Sequence, residues 1–238
     1  MYSFRSRIRY SECGADGRLT VTSLLNYFQD CSTFQSEDLG IGVKSLHEKG
    51  AMWVVNSWQI DILRLPALGE EVETATLPYD IKGFFGKRNF FMKDSCGAFL
   101  AKADSLWTYI SDSTGKPERI PEDILNGYKM ETKLDMDYQG RKISCPDDKT
   151  RGEKCQNIYV TEHLIDANRH VNNGRYVELA AVLVPEAQNA GRIRVEYRRQ
   201  AFLGDTIYPI IYRDPGRIII RMSDSEDDPF TIVEFSYD

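Results

Sequence analysis

The chain has 238 residues, of which 42% are hydrophobic and 28% are charged, so its composition is that of a folded protein rather than a disordered one. The formal charge of −6 argues against a general nucleic-acid binder, because such a protein needs excess positive charge to neutralise phosphates. The sequence has no run of about 18 apolar residues, so we expect no membrane span.

The N-terminal residues alternate arginine with other side chains up to Arg9, which predicts a strand. No apolar segment typical of a signal peptide follows this stretch. The five cysteines are odd in number and form no CxxC pair, so neither a disulfide framework nor a zinc site is indicated. We therefore expect reduced thiols, no metal, no cofactor and a cytoplasmic location.

Two segments have the apolar spacing of helices, and most of the remainder alternates as strands do. The first helix is predicted over Ser23–Leu39, with Ser23 as a candidate N-cap and Gly40 as its stop signal. The second is predicted over Asn173–Gln188, with asparagines at its start as cap candidates. The segments predicted as strands are 58–62, 84–93, 97–110, 193–202, 207–213, 217–222 and 230–237. Turn residues such as Asp214-Pro-Gly216 separate several of them. The predicted fold class is α+β with antiparallel sheets.

The two halves of the sequence repeat each other. Residues 16–21 precede the first helix and align with residues 166–171 before the second, which pairs Asp16 with Asp166. Further on, residues 64–70 align with residues 199–205. Each half is therefore expected to be one unit in which a sheet surrounds a helix.

We expect the chain to be divided by the polar segment 136–154, which is predicted to be a linker. The first predicted domain covers residues 1–135, and the second covers residues 155–238.

The side chains best suited to catalysis lie together immediately before the second predicted helix. Among the three histidines, His170 alone stands with a carboxylate (Asp166) and an amide (Asn168) in one short segment. A helix N-terminus leaves unpaired N–H groups and partial positive charge, which can polarise a carbonyl oxygen. From spacing alone, the alternative that these polar residues only cap the helix and turn the chain stays open.

The motif Asp166-x-Asn-x-His-Val-Asn-Asn-x-x-Tyr176 resembles a signature of acyl-acyl-carrier-protein (acyl-ACP) thioesterases, and Val195–Arg199 (VEYRR) resembles a second one. Segments of the first half agree as well, namely Met52–Val54, Ile60–Pro66, Lys87-Arg88 and Ser105–Trp107. The chain is similar to a bacterial member of this family, resembling the plant fatty acyl-ACP thioesterases. The resemblance implies a tandem (double) hotdog fold, in which two antiparallel sheets each wrap a long helix.

The resemblance also implies that Asp166, Asn168 and His170 are catalytic. A glutamate proposed in the family to help activate water is replaced here by Gln200, and the cysteine of plant members is replaced by Ala201. A cysteine nucleophile therefore has no residue at this position, and an amide cannot accept a proton at neutral pH. We predict a site of Asp166, Asn168, His170 and Gln200; whether Asp166 acts as base or nucleophile stays open.

In the alignment of the two halves, Arg18 stands opposite Asn168 and Thr20 stands opposite His170. We therefore expect one active site per chain, in the second domain, and an acyl-chain binding role for the first domain.

The predicted function is hydrolysis of the fatty acyl-ACP thioester, which releases free fatty acid and holo-ACP and terminates fatty acid synthesis. The predicted partner is acyl carrier protein with its phosphopantetheine-linked acyl chain, and no nucleic-acid partner is expected. The protein itself is expected to be a monomer or a homodimer. The acidic surface of the carrier protein would dock on basic residues of this chain, drawn from Lys87, Arg88, Arg192, Arg194 and Arg198. Two alternatives are an acyl-CoA thioesterase of the hotdog superfamily and a non-catalytic acyl-binding protein.

Overall fold

The structure, a computed structural model, describes residues 1–146, 148–166 and 168–237. The parts of the predicted linker and second domain that fall on Asp147, Ala167 and Asp238 lie outside the described residues. The chain divides into two compact units, Met1–Gln139 and Gly140–Asp238. Within the described ranges, no helix has both the length and the apolar character needed to cross a membrane.

The first unit is an antiparallel sheet with one long helix packed against it. Its elements are β1 (Tyr2–Arg7), α1 (Val21–Asp38), α2 (Val43–Glu48), β2 (Ala51–Ile62), β3 (Glu71–Lys82), β4 (Phe85–Asp94), β5 (Phe99–Ser111) and α3 (Glu122–Gly127). The strand order is β1-β3-β4-β5-β2, and each neighbouring pair is antiparallel. The two short helices α2 and α3 were not predicted from the sequence.

Helix α1 forms where the apolar spacing predicted it, but it begins earlier. Thr20 is its N-cap, because the Thr20 hydroxyl oxygen accepts the Ser23 N–H at 3.1 Å, so the prediction of Ser23 as N-cap is wrong. Its apolar face is centred on Phe28, which is buried with its ring centroid 5.5 Å from Phe90 on β4 and 6.4 Å from Trp58 on β2. These contacts attach the helix to one face of the sheet.

The opposite face of this sheet carries a strap, which we define as residues 129–139. The strap contacts four strands in their spatial order, β3, β4, β5 and β2. The bonds join Glu131 N–H to Pro78 O (2.7 Å), Leu134 N–H to Asn89 Oδ1 (3.0 Å), Lys102 Nζ to Asp135 O (3.0 Å), Gln59 Nε2 to Asp137 O (2.9 Å) and Gln139 N–H to Gln59 Oε1 (2.8 Å). The first residues of the predicted linker are therefore bonded to the first unit.

A polar cluster lies under the strap, centred on Asp104 of β5. The Asp104 carboxylate accepts hydrogen bonds from the Tyr79 hydroxyl (2.9 Å) and the Asn89 amide (3.1 Å). Lys133 of the strap places Nζ 3.3 Å from the ring centroid of Tyr138, whose hydroxyl also belongs to the cluster. Burial raises the pKa of Asp104 to about 6, although the Tyr79 hydrogen bond and the nearby lysines act in the opposite direction.

The second unit is also an antiparallel sheet with a helix against it, which confirms the α+β prediction. Its elements are β6 (Glu153–Lys154), β7 (Ile158–Tyr159), α4 (Asn173–Leu183), β8 (Arg192–Tyr197), β9 (Thr206–Asp214), β10 (Arg217–Ser223) and β11 (Pro229–Ser236). The strand order is β8-β11-β10-β9-β6, and β7 also pairs with β9. Helix α4 is shorter than predicted because Pro185 cannot continue the hydrogen-bond ladder, and a 3-10 helix, Pro185–Asn189, follows.

Candidate active site

A tight turn, described at residues 165–166 and 168–171, leads into α4. The Asp166 N–H donates to the His170 carbonyl (3.0 Å), and the Arg169 N–H donates to the Asp166 carbonyl (3.0 Å). One oxygen of the Asp166 carboxylate accepts the Asn168 N–H at 2.8 Å. Arg169 has φ 64°, a left-handed conformation that costs least for glycine. The turn therefore brings the side chains at its two ends together.

Asp166 and His170 form the central pair. Asp166 Oδ2 lies 3.8 Å from His170 Nδ1, and the two side chains are 18% and 14% exposed. His170 Nδ1 also lies 3.2 Å from the Val171 carbonyl oxygen. Since a carbonyl oxygen can only accept, this contact assigns the proton of the neutral ring to Nδ1. His170 Nε2 then keeps its lone pair, which suits it to accept a proton from water.

Helix α4 begins three residues after His170. Asn172 is the N-cap, and its side-chain oxygen accepts the Gly174 N–H at 2.8 Å, as the asparagine-rich start predicted. Gly174 itself is buried. The positive end of the helix dipole therefore lies beside the imidazole, where it favours negative charge.

Gln200 lies on the segment that pairs with the end of this turn. The Val171 N–H donates to the Ala201 carbonyl (2.9 Å), and His170 pairs with Phe202 in an antiparallel bridge. Continuing this register places Gln200 opposite Asn172, the N-cap residue of α4. The structure thus brings the backbones of all four predicted site residues to one junction. Asp166 and His170 also share a side-chain contact, whereas Asn168 is exposed on the turn.

The first unit contains the same turn, but its register differs by two residues from the one predicted. The equivalent bonds are Gly14 N–H to Arg18 O (2.8 Å), Gly17 N–H to Gly14 O (3.0 Å) and Leu19 N–H to Pro66 O (2.9 Å). Thr20 caps α1 as Asn172 caps α4. The positions of Asp166, Asn168 and His170 therefore correspond to Gly14, Asp16 and Arg18. The sequence alignment of Asp16 with Asp166 is therefore wrong: Asp16 stands at the position of Asn168, and its carboxylate accepts the Arg18 N–H at 3.0 Å within the turn.

Of the residues predicted to dock a carrier protein, Arg88 is buried and Arg194 is partly buried in an ion pair. Arg88 is 8% exposed and donates to Gln35 Oε1 (3.1 Å) between α1 and the sheet. The Arg194 side chain is 13% exposed and pairs with the Glu234 carboxylate at 2.8 Å. A partner surface cannot reach the Arg88 guanidinium, so the docking prediction is wrong for Arg88. The docking role of Arg194 stays a prediction. The Lys87 side chain, by contrast, is 45% exposed and places Nζ 3.5 Å from the Asp80 carboxylate.

Two tyrosines that were not predicted as site residues form hydrogen bonds with backbone groups at this junction. Tyr176 accepts the Ala201 N–H at 3.1 Å, and the Tyr197 hydroxyl donates to the Asn173 carbonyl at 2.9 Å. Their rings meet edge to face with centroids 6.1 Å apart. Both tyrosines lie inside the motifs of the sequence, which was the available signal. In the part of the chain that the structure describes, no group of three or more His, Cys, Asp or Glu side chains is arranged to hold a metal.

Comparison with known proteins adds a family and a fold. Residues 1–128 match the model of the acyl-ACP thioesterase N-terminal domain. A chloroplastic palmitoyl-acyl carrier protein thioesterase of Arabidopsis thaliana is 26% identical over 207 residues, covering 81% of this chain and 50% of the relative. The chain spans about half the length of the curated relatives it matches.

Solved structures match over nearly the whole chain. A protein described as an oleoyl thioesterase of Lactobacillus plantarum is 26% identical with a TM-score of 0.86, covering 100% of this chain and 96% of the other. An acyl-ACP thioesterase of Bacteroides thetaiotaomicron is 21% identical with a TM-score of 0.88, covering 99% and 97%. These similarities confirm the double hotdog fold.

Proposed function

Because the chain belongs to the acyl-ACP thioesterase family, we propose that it hydrolyses the thioester of fatty acyl-ACP and releases free fatty acid and holo-ACP. The observation that carries this proposal is the Asp166–His170 pair at the start of α4. Its 3.8 Å contact lies on the Nδ1 side of the ring, and that arrangement leaves Nε2 available as a base.

In the proposed reaction, His170 Nε2 takes a proton from a water molecule as the water oxygen attacks the thioester carbonyl carbon. Negative charge then develops on the carbonyl oxygen, and the N–H groups at the start of α4 stabilise it. The carbon–sulfur bond breaks, the thiolate leaves, and the imidazolium returns the proton to sulfur. The products are a carboxylic acid and the carrier thiol.

The other site residues would have supporting roles. Asp166 stabilises the imidazolium through the contact with Nδ1, and its other oxygen is engaged by the Asn168 N–H at 2.8 Å. These two contacts favour an electrostatic role of Asp166 over direct attack on the thioester. The Asn168 amide would place the thioester, and Gln200 would hold the water with hydrogen bonds that need no charge.

We assign acyl-chain binding to the first unit, because its equivalent turn carries Gly14 and Arg18 in place of the aspartate and the histidine. The partner would be acyl carrier protein with its phosphopantetheine-linked acyl chain, and the product would end fatty acid synthesis. A cytoplasmic location and a monomeric or homodimeric state stay predictions.

The test incubates the purified protein with acyl-ACP and acyl-CoA of the same chain length and follows the release of free thiol. We expect the higher kcat/KM for acyl-ACP, with a KM that rises with salt more steeply than that for acyl-CoA, because opposite charges steer docking. A preference for acyl-CoA with equal salt dependence would favour the acyl-CoA thioesterase. Binding without thiol release would favour the acyl-binding protein.

A further inference from the structure

Both backbone polar groups of Ala201, the residue after Gln200, are hydrogen-bonded. The Ala201 carbonyl accepts the Val171 N–H (2.9 Å), and the Ala201 N–H donates to the Tyr176 hydroxyl oxygen (3.1 Å). Ala201 and Tyr176 are both buried, so water cannot easily replace the tyrosine if it is lost. Since this N–H belongs to the peptide plane that follows Gln200, the Tyr176 bond fixes the orientation of that plane.

A second tyrosine fixes the other side of the junction. Tyr197 ends β8, and its hydroxyl donates to the carbonyl of Asn173, the first residue of α4. Burial raises the pKa of Tyr176 and of Tyr197, so both phenols keep their protons at neutral pH. These two hydrogen bonds therefore persist unchanged across the pH range of a thioesterase assay.

The first unit provides an internal comparison for the Tyr176 bond. Its Leu19 N–H donates to the Pro66 carbonyl, as the Val171 N–H donates to the Ala201 carbonyl. Pro66 has no N–H, however, so the second bond has no donor there.

The acceptor is missing in the first unit as well. Leu24 is the fourth residue after the cap of α1, as Tyr176 is the fourth after the cap of α4. Ile62 ends β2 where Tyr197 ends β8. The turn and its backbone pairing thus form without either hydroxyl. The two tyrosine bonds occur in the unit that carries Asp166 and His170, which points to a role in the site rather than in the fold.

We propose that Tyr176 is a positioning residue, whose hydroxyl orients the Gln200–Ala201 peptide and so holds the Gln200 side chain at the His170 turn. Tyr197 positions the start of α4 in the same way. The inference rests on the proposed thioester hydrolysis and deepens it, because it names the groups that place the water-holding amide.

The experiment compares Tyr176→Phe with wild type under the thiol-release assay. The variant keeps the ring and its packing but loses the hydroxyl. We expect kcat to fall about tenfold with KM changed by less than about twofold, as for a lost positioning hydrogen bond. The control is Tyr212→Phe, a buried tyrosine of the same unit that belongs to a separate core cluster with Ile210 and Ile219, and its kcat should stay at the wild-type value.

A double-mutant cycle tests whether Tyr176 acts through Gln200. Gln200→Ala alone is expected to lower kcat about tenfold, and adding Tyr176→Phe should lower it little further, because both changes remove the same function. A product of the two effects, about a hundredfold, would overturn the inference.

Ala201→Pro supplies a second test if Tyr176→Phe does not fold. This change removes the Ala201 N–H that donates to Tyr176, and it introduces proline, which the first unit has at the equivalent position, Pro66. The same roughly tenfold loss of kcat is expected. Wild-type kcat in folded Tyr176→Phe or Ala201→Pro overturns the positioning role while leaving the proposed function intact. Absence of thiol release from the wild-type protein instead overturns the proposed function.

Discussion

Replacing Asp104 with asparagine should stabilise the first unit at neutral pH. Asp104 faces the Tyr79 hydroxyl and the Asn89 amide, with Lys133 and Lys87 nearby, yet burial is the largest influence and raises its pKa from 3.8 to about 6. The folded chain therefore binds this proton more tightly than the unfolded chain. As the pH rises from about 3.8 to about 6, the wild-type protein loses stability, and above that range the loss is complete.

A pKa difference of about 2 corresponds to roughly 3 kcal/mol in the free energy of unfolding. Asparagine has the shape of the protonated carboxyl group and carries no charge at any pH, so the Asp104→Asn protein should escape this loss. The difference in stability between variant and wild type should thus grow by roughly 3 kcal/mol between pH 4 and pH 7.

Urea denaturation followed by tryptophan fluorescence suits this measurement, because all three tryptophans, Trp53, Trp58 and Trp107, lie in the first unit. Glu48→Gln serves as a control in the same unit, since the Glu48 side chain is 68% exposed and should give a small difference that barely depends on pH. A difference for Asp104→Asn that stays flat with pH, or that favours the wild type at pH 7, would refute the reasoning.

Three further predictions concern the turn and its surroundings. His170→Ala should lower turnover by roughly two to four orders of magnitude, because it removes the base; turnover near the wild-type value in a folded protein would contradict the assignment. Gln200→Glu should keep activity and raise it at higher pH, where the new carboxylate ionises and can share the proton transfer; a pH–rate profile decides this, and loss of activity at every pH would count against the water-holding role. Arg169→Gly should raise the free energy of unfolding by up to about 1 kcal/mol, because Arg169 has φ 64° where the first unit has Gly17 at φ 73°; a less stable variant in urea titration would show that the arginine side chain offsets the strain.

The sequence predicted the helices better than their ends. The spacing of Leu24 and Phe28 reflects the buried face of α1, which is a property of the local pattern. Thr20 and Ser23 are both good cap residues, however, and the structure alone shows which oxygen accepts the N–H. The early end of α4 was foreseeable from Pro185, which the predicted helix ran through.

The sequence proposes the residues of the candidate site but not the hydrogen bonds that join them. Asp166, Asn168 and His170 are close in sequence, so a motif can identify them. The bond from Ala201 to Tyr176 joins positions 25 residues apart, and no local pattern indicates it. The internal repeat misled in one respect, because Asp16 resembles Asp166 in sequence whereas the backbone hydrogen bonds of the two turns align Asp166 with Gly14.

The strap also determines where the first unit can be cut from the second. A truncated chain that stops at residue 135 loses Asp137 and Gln139, which together satisfy the donor and the acceptor of the Gln59 amide. Gln59 is buried; its Nε2 would keep the Asp61 carboxylate at 3.2 Å, but its Oε1 would lose the Gln139 N–H, at a cost of about 1–3 kcal/mol. A chain that ends after Gln139 keeps these anchors, so we expect a fragment that ends there to be more stable than one that stops at residue 135.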